Sequence, residues 1–554
     1  MNLKISRLLL SVLAVAGLWT GQVRAAAEII PGEYLVKMKT DRLTSMSTMD
    51  VVNTLGVHIS DVNETAHLVK VNLAPSEEVQ TLVHLYMNPN VEYVVPNVKL
   101  RMFTAPIDLS SLQAQWAIQK VNAQAAWAKA GNQGSRSIIV AVIDTGADYK
   151  HESLAPNMVQ GYNFKDGNND PMDVTGPQNP GHGTHCSGII GATGLINNGT
   201  IGISPTVSIM PLRFIGPDGS GDLDLAIKAI DYAIAHHVRV ISASWGAAID
   251  RQTAQPLIDA VKRADDAGIV FVMAAANDGK DNDTTDVFPA NAGFPNNISV
   301  AASDNNDAKP SWSNFGKATV HLASPGLNIL STLPSNKYDQ LSGTSMATPM
   351  VAGLVAFLLA QDPSLTGSQI RALLQETGPK VNIETACNCR IDALAAETVI
   401  KAKTMFIAPA AATLNVGQTL KFGAVYGQGP FQFSVANTGV GAIAADGTFT
   451  AKANGVTTVT VRDSRGMTST SLNVSVVAGS APSPNPPAPN PPAPNPPAPN
   501  PPSPNPPNPF PPGPTPPGGN PPGGIPGMPT TCPVQDPTTC QLMCQLAPTL
   551  PWCQ

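Results

Sequence analysis

Charge is scarce in this 554-residue chain, where Asp, Glu, Lys and Arg together make up 13%. The 33 basic side chains are outnumbered by 39 acidic ones, for a net charge of −6. Without a basic excess to meet phosphates, nucleic-acid binding is set aside. Long apolar runs are also missing. Past the leading run, every apolar stretch carries glycine or breaks early, so no membrane span is expected in the mature form. No cysteine follows the leading run, which leaves no lipoprotein attachment point. The 7 cysteines cannot all pair within one chain. Four of them, Cys532, Cys540, Cys544 and Cys553, close the sequence with no histidine among them, which favours two disulfides over a metal knuckle. Their three connectivities stay open. Cys387 and Cys389 stand too close for a comfortable mutual bridge, a strained one being the exception.

The beginning of the chain carries an address. Lys4 and Arg7 precede the apolar run Leu8 to Trp19, and small residues follow around Val23-Arg24-Ala25. This order is that of a secretory signal over 1–25, cut after Ala25 or Ala27. The alternative, a retained membrane anchor, needs about 18 apolar residues, more than this run supplies. An exported, extracellular protein is expected, possession of an envelope attachment being open.

Composition then divides the chain. Residues 28–105 read as a small α+β module. Glu33 to Lys39 and Ala66 to Leu73 alternate as strands, and Val91 to Val95 closes as a third. Helices are expected over Met49–Leu55 and Ser76–Met87, the latter with Glu77 and Glu78 suiting the dipole of its first turn. From 108 to 403 apolar strands alternate with helical stretches. Ser137–Ile143, Val238–Ala243 and Ile269–Met273 read as strands, Leu223–Ile234 and Gln255–Ala267 as helices. That alternation predicts an α/β fold, a parallel sheet sandwiched by helices. Residues 404–477 hold short β runs divided by Gly and Asn, the pattern of a small all-β sandwich: Leu420–Phe422, Phe431–Val435, Gly447–Ala451 and Val456–Val461. Residues 479–530 repeat Asn-Pro-Pro-Ala-Pro, which cannot build a core and favours extended polyproline II. At about 3.1 Å per residue, roughly 50 residues reach ~150 Å. The cysteine-rich segment 531–554 ends the chain.

Three short segments carry chemistry. Val142-Ile-Asp144-Thr-Gly146 sets an acid at the end of a buried strand. Gly181-His182-Gly-Thr-His185-Cys186 puts a histidine between glycines at a helix start. Gly343-Thr-Ser345-Met-Ala-Thr-Pro349 does the same for a serine. A serine hydroxyl needs a base during attack, and an imidazole held by a carboxylate supplies one. Glycines admit close approach of backbone and substrate. A parallel sheet gathers such distant groups at its strand ends. Any one motif alone reads as a turn or a cap; all three together point to nucleophilic catalysis.

The three segments resemble the signatures of the subtilisin-like serine proteases, over about 108–402, and 33–103 resembles that family's inhibitory propeptide. The resemblance implies a serine endopeptidase with Asp144, His182 and Ser345 as triad and His185 as a non-catalytic neighbour. It implies peptide and protein substrates, and the chain's own propeptide as inhibitor, removed by a cut between Val98 and Leu112. Met273-Ala-Ala-Ala-Asn277-Asp-Gly279 matches the oxyanion segment, with Asn277 as donor beside the Ser345 backbone N–H. Ala276 stands where many members have glycine, which narrows the adjoining pocket. Gly219-Ser220-Gly221 and Ser244-Trp245-Gly246 match the two segments that flank an extended substrate.

The resemblance also raises calcium as a structural cofactor; catalysis itself calls for none. Asp108 and the loop Ile196-Asn197-Asn198-Gly199, with Asn198 as ligand, resemble the family's site. Ser153, where an aspartate commonly ligates, argues for a weakened or absent one. Cys186, one helical turn past His182, is expected as a buried free thiol. The β module resembles bacterial immunoglobulin-like domains, and with the tail it could serve stabilisation, secretion, or attachment to a surface or polymer. The rival to an enzyme is an adhesion protein using a protease-like scaffold, which would need neither triad nor propeptide.

Overall fold

The computed structural model describes residues 28–39, 57–103, 115–195 and 199–478. The leader, the helix expected over 49–55, the proline-rich segment and the cysteine-rich tail lie outside these residues. Strands β1 (Ile29–Met38), β2 (Ile59–Asn63) and β3 (Leu68–Asn72) come first, then helix α1 (Glu78–Met87) and strand β4 (Val91–Met102). They form an antiparallel sheet in the order β4-β1-β3-β2. The sequence suggests an end to β4 at Val95, ahead of Pro96. The strand instead runs on through Met102, because its second half pairs with strands of the next domain.

That next domain opens with helices α2 (Trp116–Lys120) and α3 (Ala123–Ala130) and strand β5 (Ile139–Asp144). It continues through β6 (Tyr162–Asn163), α4 (His182–Gly191), β7 (Ser208–Arg213), β8 (Ser220–Asp222), α5 (Leu223–Ala235), β9 (Val240–Ala243) and β10 (Trp245–Gly246). Then follow α6 (Gln255–Asp266), β11 (Val270–Ala274), β12 (Asn297–Ser303), β13 (Leu322–Pro325), β14 (Ile329–Leu333) and β15 (Lys337–Leu341). Three helices complete it, α7 (Thr344–Gln361), α8 (Gly367–Thr377) and α9 (Ala393–Ala402).

Seven strands form one sheet, β13-β12-β11-β9-β5-β7-β6, with every pairing parallel. The α/β expectation for this domain is met. The chain leaves β5 for β7 on one side and later returns to β9 on the other. The sheet therefore opens a crevice at the carboxyl end of β5, where Asp144 stands. Apolar side chains alternate between the two faces of β5: Val140 and Val142 pack into the cluster with α7, Ala141 and Ile143 into the cluster with α5 and α6. Helix α7 is apolar all round and long enough to cross a membrane, but 89% of its span is buried, so it is a core helix.

Residues 406–477 form an all-β module of short strands, compatible with the sandwich the sequence suggests. The run Val456–Val461 is not one strand: 455–457 pairs with 474–476, whereas 459–462 pairs with 432–435 and 468–470. Phe406, Ala410 and Val425 belong to the same apolar cluster as Ile370, Leu374 and Ile400 of the preceding helices. Tyr426 Oη donates to Asp362 Oδ2 at 2.7 Å. The module is thus packed onto the α/β domain.

Cys387 and Cys389 are bonded to each other. The sequence spacing argues against it, but Asn388 between them has φ +46°. That left-handed turn brings the two Cα atoms to 5.1 Å, within the usual disulfide range.

Candidate active site

Asp144 and His182 meet at the crevice. The Nδ1 of His182 lies 2.8 Å from Asp144 Oδ1, and both side chains are buried. Several local bonds hold them there. Asn179 Oδ1 accepts from the N–H groups of Gly181 and His182 at 2.9 Å each, fixing the start of α4. Thr145 Oγ1 accepts from Gly183 N–H at 2.8 Å, tying α4 to the end of β5. Gly183 is required, since a β-carbon there would collide with the Gly146 carbonyl. Asp173 accepts from Thr184 at 2.7 and 3.0 Å one residue further on. Nothing in the sequence motif points to Asn179 or Asp173; their oxygen-bearing types ahead of a helix start are the one available signal.

Burial works against charge on His182, but the Asp144 carboxylate outweighs it and holds the imidazole well above its ordinary proton affinity. His185 lies on the same helix without such a partner. Burial pushes it down to about 3, and its Nε2 faces the Asp339 carbonyl at 3.1 Å, so it stays neutral. Cys186 is a buried free thiol, with Sγ 3.9 Å from His182 Nδ1 and 3.5 Å from the Ser345 carbonyl. Burial raises its pKa, which keeps it a thiol.

Ser345 is the second residue of α7. Pro349, four residues on, has no N–H to give the Ser345 carbonyl, which is taken by the Ser244 hydroxyl at 2.9 Å. The Ser345 hydroxyl has two carbonyl acceptors within reach for its single proton, Ser244 O at 2.9 Å and Phe103 O. It is not bonded to His182, whose Nε2 is buried without a partner. The structure therefore joins the acid and the imidazole, and sets the serine beside them with its hydroxyl turned toward the Phe103 carbonyl.

Asn277 is oriented by Thr344, whose N–H and hydroxyl both donate to its Oδ1 at 2.9 Å. Its Nδ2 is left buried and unbonded. A β-carbon on Gly343 would stand 2.6 Å from Phe103 O and 3.1 Å from Asn277 Nδ2, so both atoms crowd that glycine. Ala276 adopts φ +93°, a conformation that suits glycine.

The two flanking segments are occupied. The end of β4 pairs antiparallel with β8, Leu100 opposite Gly221 and Arg101 opposite Ser220. On its other edge Met102 is opposite Trp245 and Arg101 opposite Gly246. Phe103 N–H donates to Ser244 O at 3.2 Å. Its ring packs on Ala276, Val287 and Ala290 and closes over Gly246. Gly219 lies under Met102, where a β-carbon would stand 3.3 Å from its methyl group. Sequence reasoning missed Phe103, because it ended the strand at Val95, whereas the strand runs on to Met102.

Asp108 and Asn198 lie outside the described residues. Two described residues bearing on the same suggestion, Gln115, seven positions after Asp108, and Ser153, have protein partners. Gln115 spends its amide on Ile201, accepting from N–H at 3.1 Å and donating to O at 2.9 Å. The Ser153 hydroxyl is paired with Tyr338 Oη at 2.7 Å. Among the described residues, the one group of three acidic, imidazole or thiol side chains close enough to share an ion is Asp144, His182 and Cys186.

A model of the subtilase family matches residues 135–401. A thermophilic serine proteinase of Bacillus sp. (strain AK1) is 34% identical over 354 residues, 64% of this chain and 83% of the relative. The chain belongs to the subtilase family. Thermitase of Thermoactinomyces vulgaris is 38% identical over 268 residues, 48% of this subtilase and 89% of the relative. Subtilisin NAT of Bacillus subtilis subsp. natto is 30% identical over 350 residues, covering 62% and 84%. This subtilase is accordingly a serine endopeptidase.

Proposed function

We propose that the protein is an exported, self-processing zymogen in which Asp144, His182 and Ser345 are the triad and residues 28–103 are the inhibitor. The observation that carries this reading is Phe103, whose carbonyl meets the Ser345 hydroxyl while its strand fills both flanking segments. The bond cut is the one after Phe103. Rotation about the Ser345 Cα–Cβ bond turns the hydroxyl from the Ser244 carbonyl to His182 Nε2, which is buried without another partner and accepts the proton when the imidazole is in its neutral form.

His182 then takes the proton as Oγ adds to the Phe103 carbonyl carbon, and Asp144 stabilises the imidazolium. Asn277 Nδ2 and the Ser345 backbone N–H donate to the oxygen that gains charge. Collapse breaks the C–N bond, with His182 protonating the leaving amine. Water hydrolyses the acyl-enzyme by the same base. Protein substrates take the β4 path, pairing with Gly219-Ser220-Gly221 and Ser244-Trp245-Gly246 and seating an aromatic or large apolar side chain against Ala276, Val287 and Ala290.

The leader over 1–25 directs export. Residues 404–477 are read as an immunoglobulin-like module that buttresses the protease, and the 479–530 spacer with the 531–554 tail as its attachment to a surface or polymer. Intact mass of the secreted protein tests the processing claim. The wild type should begin at Thr104 and Ser345→Ala should stay uncut. Normal cutting of Ser345→Ala overturns the assignment.

A further inference from the structure

The strand that fills the crevice reaches well beyond the catalytic groups. Counting back from the bond after Phe103, Lys99 is the fifth residue. It stands directly opposite Asp222 in the β4–β8 register, and directly opposed residues share a face of the sheet. Lys99 Nζ is paired with Asp222 Oδ1, the two side chains being only 23% and 20% exposed. Asp222 occupies the N-cap position of α5 but makes no side-chain bond to the helix backbone. Its carboxylate is therefore not committed to the fold.

The neighbouring charges are engaged elsewhere. Arg101 turns to Glu28 at 2.6 Å, and Lys70 to Asp224 at 2.9 Å. Asp218 accepts from the Ser220 hydroxyl and is steadied by Lys165. Once the inhibitory strand leaves, Asp222 faces the substrate path at the position where a fifth upstream side chain arrives.

We propose that Asp222 is a specificity-determining residue that selects lysine or arginine five residues before the cleaved bond. The proposal rests on Phe103 marking that bond. An ion pair of this exposure, remote from the reacting atoms, binds ground and transition states alike. It acts on KM and leaves kcat unchanged. We expect about a fivefold preference in kcat/KM for Lys over Ala (close to 1 kcal/mol at 1.36 kcal/mol per tenfold). The preference shrinks toward unity in molar salt.

The test uses the mature enzyme and quenched peptides spanning residues 99–106, with Lys, Ala or Glu at the first position. Wild type should prefer Lys over Ala over Glu, through KM. Asp222→Asn should cut the three at nearly equal rates, and Asp222→Lys should reverse the order. The ratio within each enzyme is the readout, so a change in folded fraction cancels. Cleavage after Phe with equal rates for all three peptides overturns this inference alone. No cleavage after Phe in any of them overturns the reading on which it rests.

Discussion

Asn277 offers a sharp separation of catalysis from architecture. Its Oδ1 accepts two bonds from Thr344, whereas its Nδ2 is buried without a partner near the Phe103 carbonyl. Asn277→Ala removes both functions. Losing the donor is expected to lower kcat about 100- to 1000-fold, or roughly 2.7–4 kcal/mol in the barrier. Losing the acceptor leaves the buried Thr344 N–H unsatisfied, at a cost of about 1–3 kcal/mol in stability. Asn277→Asp keeps the acceptor while replacing the donor with a negative charge. It should fall at least as far in kcat, with the stability loss largely avoided and KM changed little. Steady-state kinetics on a peptide with Phe before the cleaved bond, beside thermal melts of both variants, read the two effects separately. A loss of less than tenfold in kcat for correctly folded Asn277→Asp would falsify the oxyanion role.

Mercurials should inhibit, because Cys186 Sγ lies 3.9 Å from His182 Nδ1 and a metal bound to it displaces the imidazole from Asp144; full activity with mercury demonstrably bound would refute this. Glu376 is pushed up to about 8 by burial, and its Oε1 has no partner. A raised acid holds its proton in the folded state while the unfolded chain has released it. Its contribution is therefore present below about 4.5 and is lost as pH rises to about 8. Glu376→Gln should melt about 2 °C or more above wild type at pH 9 and show no such gain at pH 4; equal shifts at both values contradict the assignment. Heat inactivation should be the same with and without a calcium chelator, since Ser153 stands where an aspartate commonly ligates and bonds Tyr338 instead; marked protection by calcium would overturn this.

The groups proposed as catalytic were legible because their chemistry is written in contiguous motifs. Gly183 must lack a β-carbon for α4 to lie on β5, and so it stands next to His182 in the sequence as it does in space. Apolar runs such as 139–143 and 270–273 were legible for a related reason, since a strand covered on both faces has no polar alternation to hide it. What sequence reading missed depends on distant partners. Strand β4 passes Pro96 because Ser220–Asp222 and Trp245–Gly246, more than a hundred residues away, complete its hydrogen bonding. The run 456–461 divides because its two halves answer to different sheets. Thr344 orients Asn277 across 67 positions, a pairing that no local pattern encodes.

On the proposed reading, one cut does not free the enzyme. Breaking the bond after Phe103 removes no contact made by residues 28–103. Strand β4 remains paired on both edges, and Leu35, Leu68, Val95, Val98 and Leu100 remain packed with Ile227, Ile230 and Leu257 of α5 and α6. Lys70–Asp224 and the Tyr93 hydroxyl on Asp259, at 2.9 and 2.7 Å, add polar anchors. The product is thus held as tightly as the uncut strand, except for the covalent tether. Its own core is small, built from Val36, Met38, Val69, Val71, Leu73, Leu85, Val91 and Val94. A module of this size is marginally stable alone, so each excursion from the protease exposes a chain prone to unfold. An unfolded inhibitor is a substrate, and its destruction by the few enzymes already free makes the final step of activation autocatalytic.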